Sequence, residues 1–282
     1  MTYLDFNINS MLKEKVVELR RHIVVMNCYA GSGHPGGALS AAEIVTYLFY
    51  NEMNFTPQNK DAPGRDRFIL SKGHACMALY GVLAQRGFIS TDEFKGLRRI
   101  GSMLQGHPDR LKTPGVEFNS GSLGQGFSFS LGVALGGKLK DEKFRVYTLL
   151  GDGELNEGQA WEGFMFGAHH KLDNLVAFID YNKLQSDDSC ENVTALAPLV
   201  DKLTAFGWNV VEINGHEFSA ISAALTSARR AKGRPTVVVA NTIKGKGISF
   251  MENDPKWHGS LAPQGEERAI ALKECGYEGG DL

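Results

Sequence analysis

The chain has 282 residues, 43% of them apolar and 22% charged, as expected for an ordinary globular protein with one large α/β domain or two small ones. Its formal net charge of −2 argues against non-specific nucleic-acid binding. The sequence has no apolar run long enough for a membrane span and no signal-peptide pattern at its start, and its four cysteines form no CxxC pair. These features predict a cytoplasmic protein with reduced thiols.

In the amino-terminal half, the sequence pattern predicts helices, loops and one strand. The first thirty residues predict a helix, because apolar side chains recur at helical spacing from Leu12 to Met26. A glycine-rich loop follows at 31–40, and Ser40 stands where it would cap the helix AAEIVTYLFY. DRFILSKGHA predicts a short buried strand that runs into a turn, and a loop at 101–126 precedes the predicted helix FSFSLGVALGGKLK.

From residue 144 onward, strands and helices alternate regularly. Strands are predicted at FRVYTLLGDG, LVAFIDYN, WNVVEING and PTVVVANTIKG, with helices at NEGQAWEGFMFGAHHKL, ALAPLVDKLTAFG and SAISAALTSARRAK between them. Continuous apolar strands alternating with helices predict an α/β fold, a doubly wound and mostly parallel sheet with helices on both faces. We interpret residues 1–282 as a single domain with a C-terminal loop and helix extension from about residue 251.

Polar residues follow two consecutive predicted strands. Gly151, Asp152 and Gly153 close one strand, and Asn182 closes the next. Ligands of doubly wound sheets bind beyond the carboxyl ends of the strands, where glycines let the backbone approach an anion closely. One carboxylate and one amide oxygen suit Mg²⁺, which completes its coordination with phosphate oxygens and water. Gly-Asp-Gly alone is a common turn, but with the asparagine it favours a metal and diphosphate site.

Four of the eight histidines lie in glycine- or proline-bearing loops beside predicted strand or helix ends. They are His34, His74, His107 and His258. An imidazole in such a place can donate to a phosphate or hydroxyl and can move a proton near neutral pH, although any one of them alone is more often an ordinary loop residue. His169 and His170 are explained by a helix end, and His216, in a turn after a strand, has no assigned role.

GDGELNEG followed by IDYNKLQ resembles the signature of thiamine diphosphate enzymes, and further segments resemble the N-terminal domain of transketolases. These are SGHPGG at 32–37, FILSKGHA at 68–75, GHP at 106–108, GSLGQG at 121–126, and TIKGKGISFMEN with WHG at 242–259. They occur in the family's order across nearly the whole chain. The resemblance implies the diphosphate-binding (PP) domain fold, with thiamine diphosphate and Mg²⁺, or Ca²⁺ or Mn²⁺ in its place, as cofactors.

The resemblance also implies roles for individual residues. Metal ligands would be Asp152, Asn182 and the backbone carbonyl of Leu184. Contacts to the cofactor would come from His74, Gly121, Ser122, Leu123, Asp152, Gly153, Glu157, Asn182, Leu184 and His258. The catalytic residues, pointing toward the substrate's hydroxyls and reacting carbon, would be His34, His107 and His258. Glu157 and Glu162 resemble acids that link paired active sites across a dimer.

Some residues depart from the family pattern or keep two interpretations. Ser186 replaces an aliphatic residue expected near the thiazolium ring, and Asp188 replaces a turn glycine, so the packing of this loop is in question. The lysines of IKGKG form either a basic edge for phosphate or a polar turn. We interpret Glu154 as an ordinary acid in the first turn of a solvated helix.

The family's pyrimidine-activating glutamate lies on a separate domain, and no second βαβ unit follows residue 250. We therefore expect a complete chain that is the N-terminal subunit of a split transketolase. With a C-terminal partner subunit, which carries the pyrimidine-binding and C-terminal domains in an α₂β₂ assembly, it would transfer a two-carbon ketol unit from a ketose, such as a sugar phosphate, to an aldose. Alternatives are a sulfosugar or branched ketose donor, a 2-oxoacid dehydrogenase α-type or 1-deoxyxylulose-5-phosphate synthase-like subunit, and a non-catalytic anion-binding subunit.

Overall fold

The computed structural model describes residues 3–186 and 188–279 of the chain. Seven strands are present in this part. They are β1 (Arg67–Leu70), β2 (Val146–Gly151), β3 (Leu175–Tyr181), β4 (Leu184–Gln185), β5 (Asp188–Ser189), β6 (Asn209–Asn214) and β7 (Thr236–Asn241). Five of them form one parallel sheet in the order β1-β2-β3-β7-β6, and β4 pairs with β5 as a small antiparallel hairpin. The predicted α/β class with a mostly parallel sheet is confirmed.

The helices of the described part cover both faces of this sheet. They are α1 (Tyr3–Ala30), α2 (Pro35–Ser40), α3 (Ala42–Tyr47), α4 (Cys76–Gln85), α5 (Gln125–Leu139), α6 (Gly158–His169), α7 (Cys190–Thr194), α8 (Leu199–Ala205), α9 (Phe218–Arg230) and α10 (Gly265–Glu274). A π-helical turn, Leu48–Glu52, extends α3, and short 3₁₀ turns lie at Gly73–Ala75, Thr91–Gly96, Gly153–Asn156 and Pro255–His258. Within these limits, no helix is long and apolar enough to cross a membrane.

Alternation along the strands divides the core into two layers, because successive side chains of a strand point to opposite faces. Tyr147 and Phe178 pack into one layer, with apolar residues of α1, α3, α4 and α9. Val146 and Ile179 pack into the other, with residues of α5, α6 and α8. The sheet is therefore buried on both faces, which explains why its central strands are continuously apolar.

The helix boundaries differ from the predicted ones at the glycine-rich loop and before α8. Helix α2 begins inside the loop at Pro35, so Ser40 lies in its last turn and caps nothing. Its hydroxyl instead donates to the carboxylate of Asp180, 2.5 Å away. Helix α8 begins only at Leu199, because Pro198 disfavours a helical conformation at the residue before it. Gly207, in the left-handed region, follows α8 as expected.

The strand order determines where the loops meet. Strands β2 and β3 are parallel neighbours, with Gly151 opposite Asp180, so the residues that follow them lie at the same edge of the sheet. Strands β1 and β7 flank this pair, and the turns that follow them reach the same edge. Four loops from distant parts of the chain thus converge beyond the carboxyl ends of the strands, where doubly wound folds bind their ligands.

Candidate active site

Asp152 and Asn182 lie side by side at this edge and are held by main-chain amides. Asp152 is only 3% exposed, and its carboxylate accepts from the amides of Gly153, at 2.8 Å, and Lys183, at 2.6 Å. Asn182 Oδ1 accepts from the amide of Leu184, at 3.1 Å. Burial, together with the nearby charge of Asp180, raises the pKa of Asp152 to about 6. A bound cation would offset both effects, since it favours the charged carboxylate.

These two residues and Leu184 line one cavity of about 90 Å³ at the carboxyl ends of β2 and β3. Among the described residues, no group of three histidine, cysteine or acidic side chains is arranged to hold a metal. A metal in this cavity would therefore depend on one carboxylate together with amide and carbonyl oxygens. Mg²⁺ tolerates such a sparse set of protein ligands, because phosphate oxygens and water complete its octahedron.

The four histidines of the glycine- and proline-bearing loops form one cluster beside the cavity. The ring centroid of His34 lies 5.5 Å from that of His74, 5.8 Å from that of His107 and 5.7 Å from that of His258. The rings of His74 and His258 are 5.2 Å apart. Each histidine comes from a different loop, so the convergence of the loops, and not their order in the sequence, creates the cluster.

The clustered histidines are held neutral. Burial, followed by the charges of His107 and Arg98, lowers the pKa of His34 to about 4. Burial and the Lys244 charge lower the pKa of His258 to about 3. The pKa of His107 is also lowered, by burial and by Arg98. A neutral imidazole has one N–H donor and one acceptor nitrogen, so each ring can both donate to and accept from a hydroxyl group.

Lys244 lies on the inner wall of the cavity and is 1% exposed. Its ammonium donates to the carbonyl oxygen of Leu184 at 2.9 Å and lies 2.8 Å from Nδ1 of His258. Burial lowers its pKa to about 8 against the opposing charge of Asp152. Lys246, two residues on, is partly exposed and pairs with Glu252. Of the two interpretations of IKGKG, a basic edge facing the cavity therefore fits Lys244, and a polar turn fits Lys246.

A second set of polar residues, all buried except for the half-buried Thr242, adjoins the cavity, with Lys72 in its lining, and was missed in the sequence. We call it the buried base, and it comprises Ser40, Lys72, Asp180 and Thr242. Asp180 is fully buried and accepts from the other three side chains of the base. The ammonium of Lys72 also donates to the carbonyl of Gly37, 2.7 Å away. The position of Lys72 two residues after β1, in the motif SKGH, is the signal in the sequence that could have placed this lysine at the edge of the sheet.

Our interpretation of Glu154 as an acid in the first turn of a solvated helix was wrong. It is 1% exposed and belongs to the 3₁₀ turn Gly153–Asn156, which folds its side chain back under the end of β2. There it accepts from the hydroxyl of Ser71 and from the amides of Gly124, at 2.8 Å, and Gly151, at 3.1 Å. Glu154 thus joins the loops that follow β1 and β2 to the loop before α5.

The glycines of the site let neighbouring loops pack closely where a larger residue would crowd a side chain. A Cβ atom on Gly153 would lie 2.8 Å from Cβ of Gln185, and one on Gly37 would lie 3.3 Å from Nε2 of His74. Gly121 packs in the same way against His107. Gln185 also lines the cavity, and its buried Nε2 has no hydrogen-bond partner in the described part of the chain. A donor without a partner in the cavity lining fits an anionic group such as a diphosphate.

Not every candidate residue lines the cavity. Leu123 does, whereas Ser122 is exposed and Glu157 is exposed at the start of α6. Ser186 lines the cavity with a positive φ of 29°, so the loop turns here without a glycine. Asp188 is exposed and accepts from the side chain of Asn192, 3.1 Å away, which ties the β4–β5 hairpin to α7.

Comparison with known proteins supports the assignment that the fold and the site suggest. Residues 12–279 match the family model described as "Transketolase, thiamine diphosphate binding domain". The chain is 46% identical over 222 residues to the 6-deoxy-6-sulfo-D-fructose transketolase subunit SqwG of Clostridium sp. (strain MSTE9), covering 79% of this chain and 81% of that protein. It is 41% identical over 264 residues to an apulose-4-phosphate transketolase subunit of Actinobacillus succinogenes, covering 93% of this chain and 95% of that protein.

Longer proteins match over part of their length. Human transketolase is 41% identical over 90% of this chain, which corresponds to 40% of the human protein. The crystal structure of the Campylobacter jejuni transketolase superposes with a TM-score of 0.89 at 33% identity, covering 95% of this chain and 43% of that one. The fold and the match over residues 12–279 define a thiamine diphosphate-binding domain. The chain belongs to the transketolase family of transferases.

Proposed function

We propose that this chain is the diphosphate-binding subunit of a split transketolase, which transfers a two-carbon ketol unit from a ketose to an aldose together with a C-terminal partner subunit. The observation that carries the proposal is the cluster of four neutral histidines beside the Asp152 and Asn182 edge. The relatives named as transketolase subunits, which this chain matches over most of their length, support a division into two polypeptides.

The cavity provides separate groups for the metal and for the diphosphate. Asp152, Asn182 and the carbonyl of Leu184 would hold Mg²⁺, and Lys244, His74 and His258 would hold the diphosphate from the other side. Thiamine diphosphate, when bound, supplies the electron sink for cleavage and formation of the carbon–carbon bond. The Lys244 ammonium now occupies the Leu184 carbonyl, so it has to turn toward the diphosphate before this oxygen can bind the metal.

The histidines would handle the sugar. The ring of His34 contacts both His107 and His258, so the three rings form one continuous polar surface. Their low pKa values keep them neutral, so each can hold a hydroxyl of the ketol unit as hydrogen-bond donor or acceptor. Several polar rings around a polyhydroxylated substrate favour ketol transfer over the chemistry of 2-oxoacid dehydrogenases, and over a non-catalytic anion-binding subunit.

The partner would cover the open side of the site and supply the glutamate that activates the pyrimidine. Helix α6 presents Met165 and Phe166 to solvent, 54% and 38% exposed, beside the exposed acids Glu157 and Glu162. Exposed apolar side chains next to an incomplete site favour association with a second subunit, and we propose an α₂β₂ assembly in the cytoplasm. Glu157 and Glu162 would then lie where two active sites communicate.

The donor is decided by groups outside this chain, because the histidines address the ketol end that all donors share. One relative is named for 6-deoxy-6-sulfo-D-fructose and another for apulose 4-phosphate. A sulfosugar or a branched ketose is therefore a second candidate beside an ordinary sugar phosphate.

Co-expression with a C-terminal transketolase subunit tests the proposal. The purified complex is assayed with fructose 6-phosphate, 6-deoxy-6-sulfofructose and apulose 4-phosphate as donors, with and without thiamine diphosphate and Mg²⁺. We expect cofactor-dependent ketol transfer by the complex from at least one donor and none by the isolated chain. Equal rates for the isolated chain and the complex would contradict the split enzyme, and a complex that binds the cofactor without any transfer would favour a non-catalytic subunit.

A further inference from the structure

His216 lies in the turn after β6, outside the cavity lining, and its two ring nitrogens have different partners. Nε2 accepts from the backbone amide of Ile243 at 2.8 Å, and Nδ1 lies 2.9 Å from Oε2 of Glu43. A nitrogen that accepts an N–H bond carries no proton of its own. The ring proton is therefore on Nδ1 and is donated to Glu43, so the tautomer follows from the contacts.

Glu43 joins His216 to a second side chain, Arg20 of α1. Arg20 Nη2 donates to Oε1 of Glu43 at 2.5 Å, while its Nε donates to the carbonyl of Lys246 at 3.0 Å. Although burial favours the neutral acid, the His216 hydrogen bond and the Arg20 charge hold the pKa of Glu43 below its ordinary value. The carboxylate is thus charged and orients both partners at once.

The two contacts to the backbone, at Ile243 and Lys246, lie on either side of Lys244. We call residues 242–247 the lysine loop. Between the two contacts, the amide of Gly245 donates to the carbonyl of Gly36 at 3.0 Å. Gly245 has a φ of 78°, and a Cβ atom there would lie 2.2 Å from the carbonyl oxygen of Met251, so the loop packs directly against the Met251 backbone. The backbone is therefore held on both sides of Lys244.

We propose that His216, oriented by Glu43 and Arg20, is a positioning residue that fixes the lysine loop and thereby aims the Lys244 ammonium at the diphosphate and metal end of the site. This inference rests on the proposed function of that site. A lysine side chain has four rotatable bonds, and holding its backbone in one conformation reduces the entropy lost when the ammonium meets an anion. A network that only joined α1 and α3 to the sheet would stabilise the fold without this effect.

The first experiment measures cofactor affinity and loop protection separately. Thiamine diphosphate with Mg²⁺ is titrated calorimetrically into the complex, and amide hydrogen exchange of the lysine loop is followed in the chain without cofactor. We expect His216→Phe to weaken binding about tenfold and to expose the Ile243 amide, whereas His216→Gln, whose carbonyl can still accept from that amide, weakens it less than about threefold. The matched control is His22→Phe, because His22 is also a partly buried histidine and packs on Phe94. We expect this variant to leave the affinity unchanged.

A double-mutant cycle separates positioning from general stabilisation. If His216 acts through Lys244, adding His216→Phe to Lys244→Met changes cofactor affinity by less than about twofold, because the group being aimed is already gone. Full additivity of the two losses would overturn the proposal, as would a His216→Gln variant no better than His216→Phe. Should Asp152→Ala bind the cofactor like the wild type, the proposed metal site itself fails, and that outcome is distinct from either of these.

Discussion

The buried base and the cavity wall adjoin each other at the same edge of the sheet, where Lys72 also lines the cavity and Asn182 donates to Asp180. The charged groups of the two sets are nevertheless satisfied differently. We call Asp152, Asn182, Lys244 and His258 the cavity wall. In the base, Asp180 is matched by Lys72 and two hydroxyls, so its charge is compensated inside the chain. In the wall, Asp152 accepts from two main-chain amides and from the Cys190 thiol, and Lys244 contacts a carbonyl oxygen and a neutral ring.

The pKa values reflect this difference. Burial opposes ionisation of Asp180, but Lys72 and the hydrogen bonds hold its pKa below the ordinary value. In the wall, burial dominates and raises the pKa of Asp152, while it lowers that of Lys244. A buried charge with a full set of partners supports the fold, whereas a buried charge without them is poised to bind a ligand of opposite sign. The four predictions that follow test this distinction.

Breaking the base should have the largest effect. Asp180→Ala leaves the ammonium of Lys72 buried without its counter-charge, and we expect the free energy of unfolding to fall by about 3 to 5 kcal/mol. Urea unfolding of the purified chain measures the change. The matched control is Glu18→Ala, which removes the partly exposed pair with Lys15 and should cost less than about 1 kcal/mol. If the free energy of unfolding fell equally in the two variants, the Asp180–Lys72 pair would contribute no more to stability than an ordinary surface ion pair.

Breaking the wall should affect binding and leave the fold intact. Asp152→Ala removes the one carboxylate assigned to Mg²⁺, so we expect thiamine diphosphate affinity to fall at least about 100-fold while the unfolding midpoint does not decrease. Calorimetric titration of the complex measures the affinity, and urea unfolding of the chain measures the midpoint. Normal activity of this variant at ordinary magnesium concentration would contradict the assignment.

The two lysines of the lysine loop allow a comparison between an ammonium that faces the cavity and one at the surface. Lys244→Met removes the buried ammonium that faces the cavity, and we expect cofactor affinity to fall about tenfold. Lys246→Met removes an ammonium that pairs with Glu252 at the surface, so the affinity should change by less than about twofold. The difference between the two dissociation constants is the measurement, and similar losses would mean that net charge near the site, and not position, is what matters.

The smallest expected effect concerns pH. Because His34 has a folded pKa of about 4 against 6.5 in the unfolded chain, the unfolded state binds more protons between these values. Its contribution to stability is full above pH 6.5 and is lost as pH falls from 6.5 toward 4. We expect His34→Asn to flatten the dependence of the urea midpoint on pH in this range, although His74, His107 and His258 still titrate beside it. An unchanged slope would contradict the burial of a neutral ring.

Much of the architecture could be predicted from local patterns. The helical spacing from Leu12 to Met26, the continuous apolar strands and the loop after GHP all have their expected structures, because periodicity and turn residues act over a few positions. Asp152 and Asn182 were also predictable as neighbours, since consecutive parallel strands end at one edge. Ser40 and Glu154 were misinterpreted, because each looks like a helix-terminal residue until its distant partner is known.

The sequence by itself determined the α/β class, the doubly wound sheet and the loops that carry the site residues. These features depend on hydrophobic periodicity and on the residue types that end each strand, and both involve residues close together in the sequence. Only the tertiary structure decided that four histidines from four loops meet, that Lys72 is paired by Asp180 while Lys244 faces the cavity, and that His216 holds the lysine loop. Those outcomes depend on contacts between residues far apart in sequence, such as the 108 positions that separate Lys72 from Asp180. No local pattern encodes that Lys244 is buried while Lys246, in the same IKGKG motif, is partly exposed.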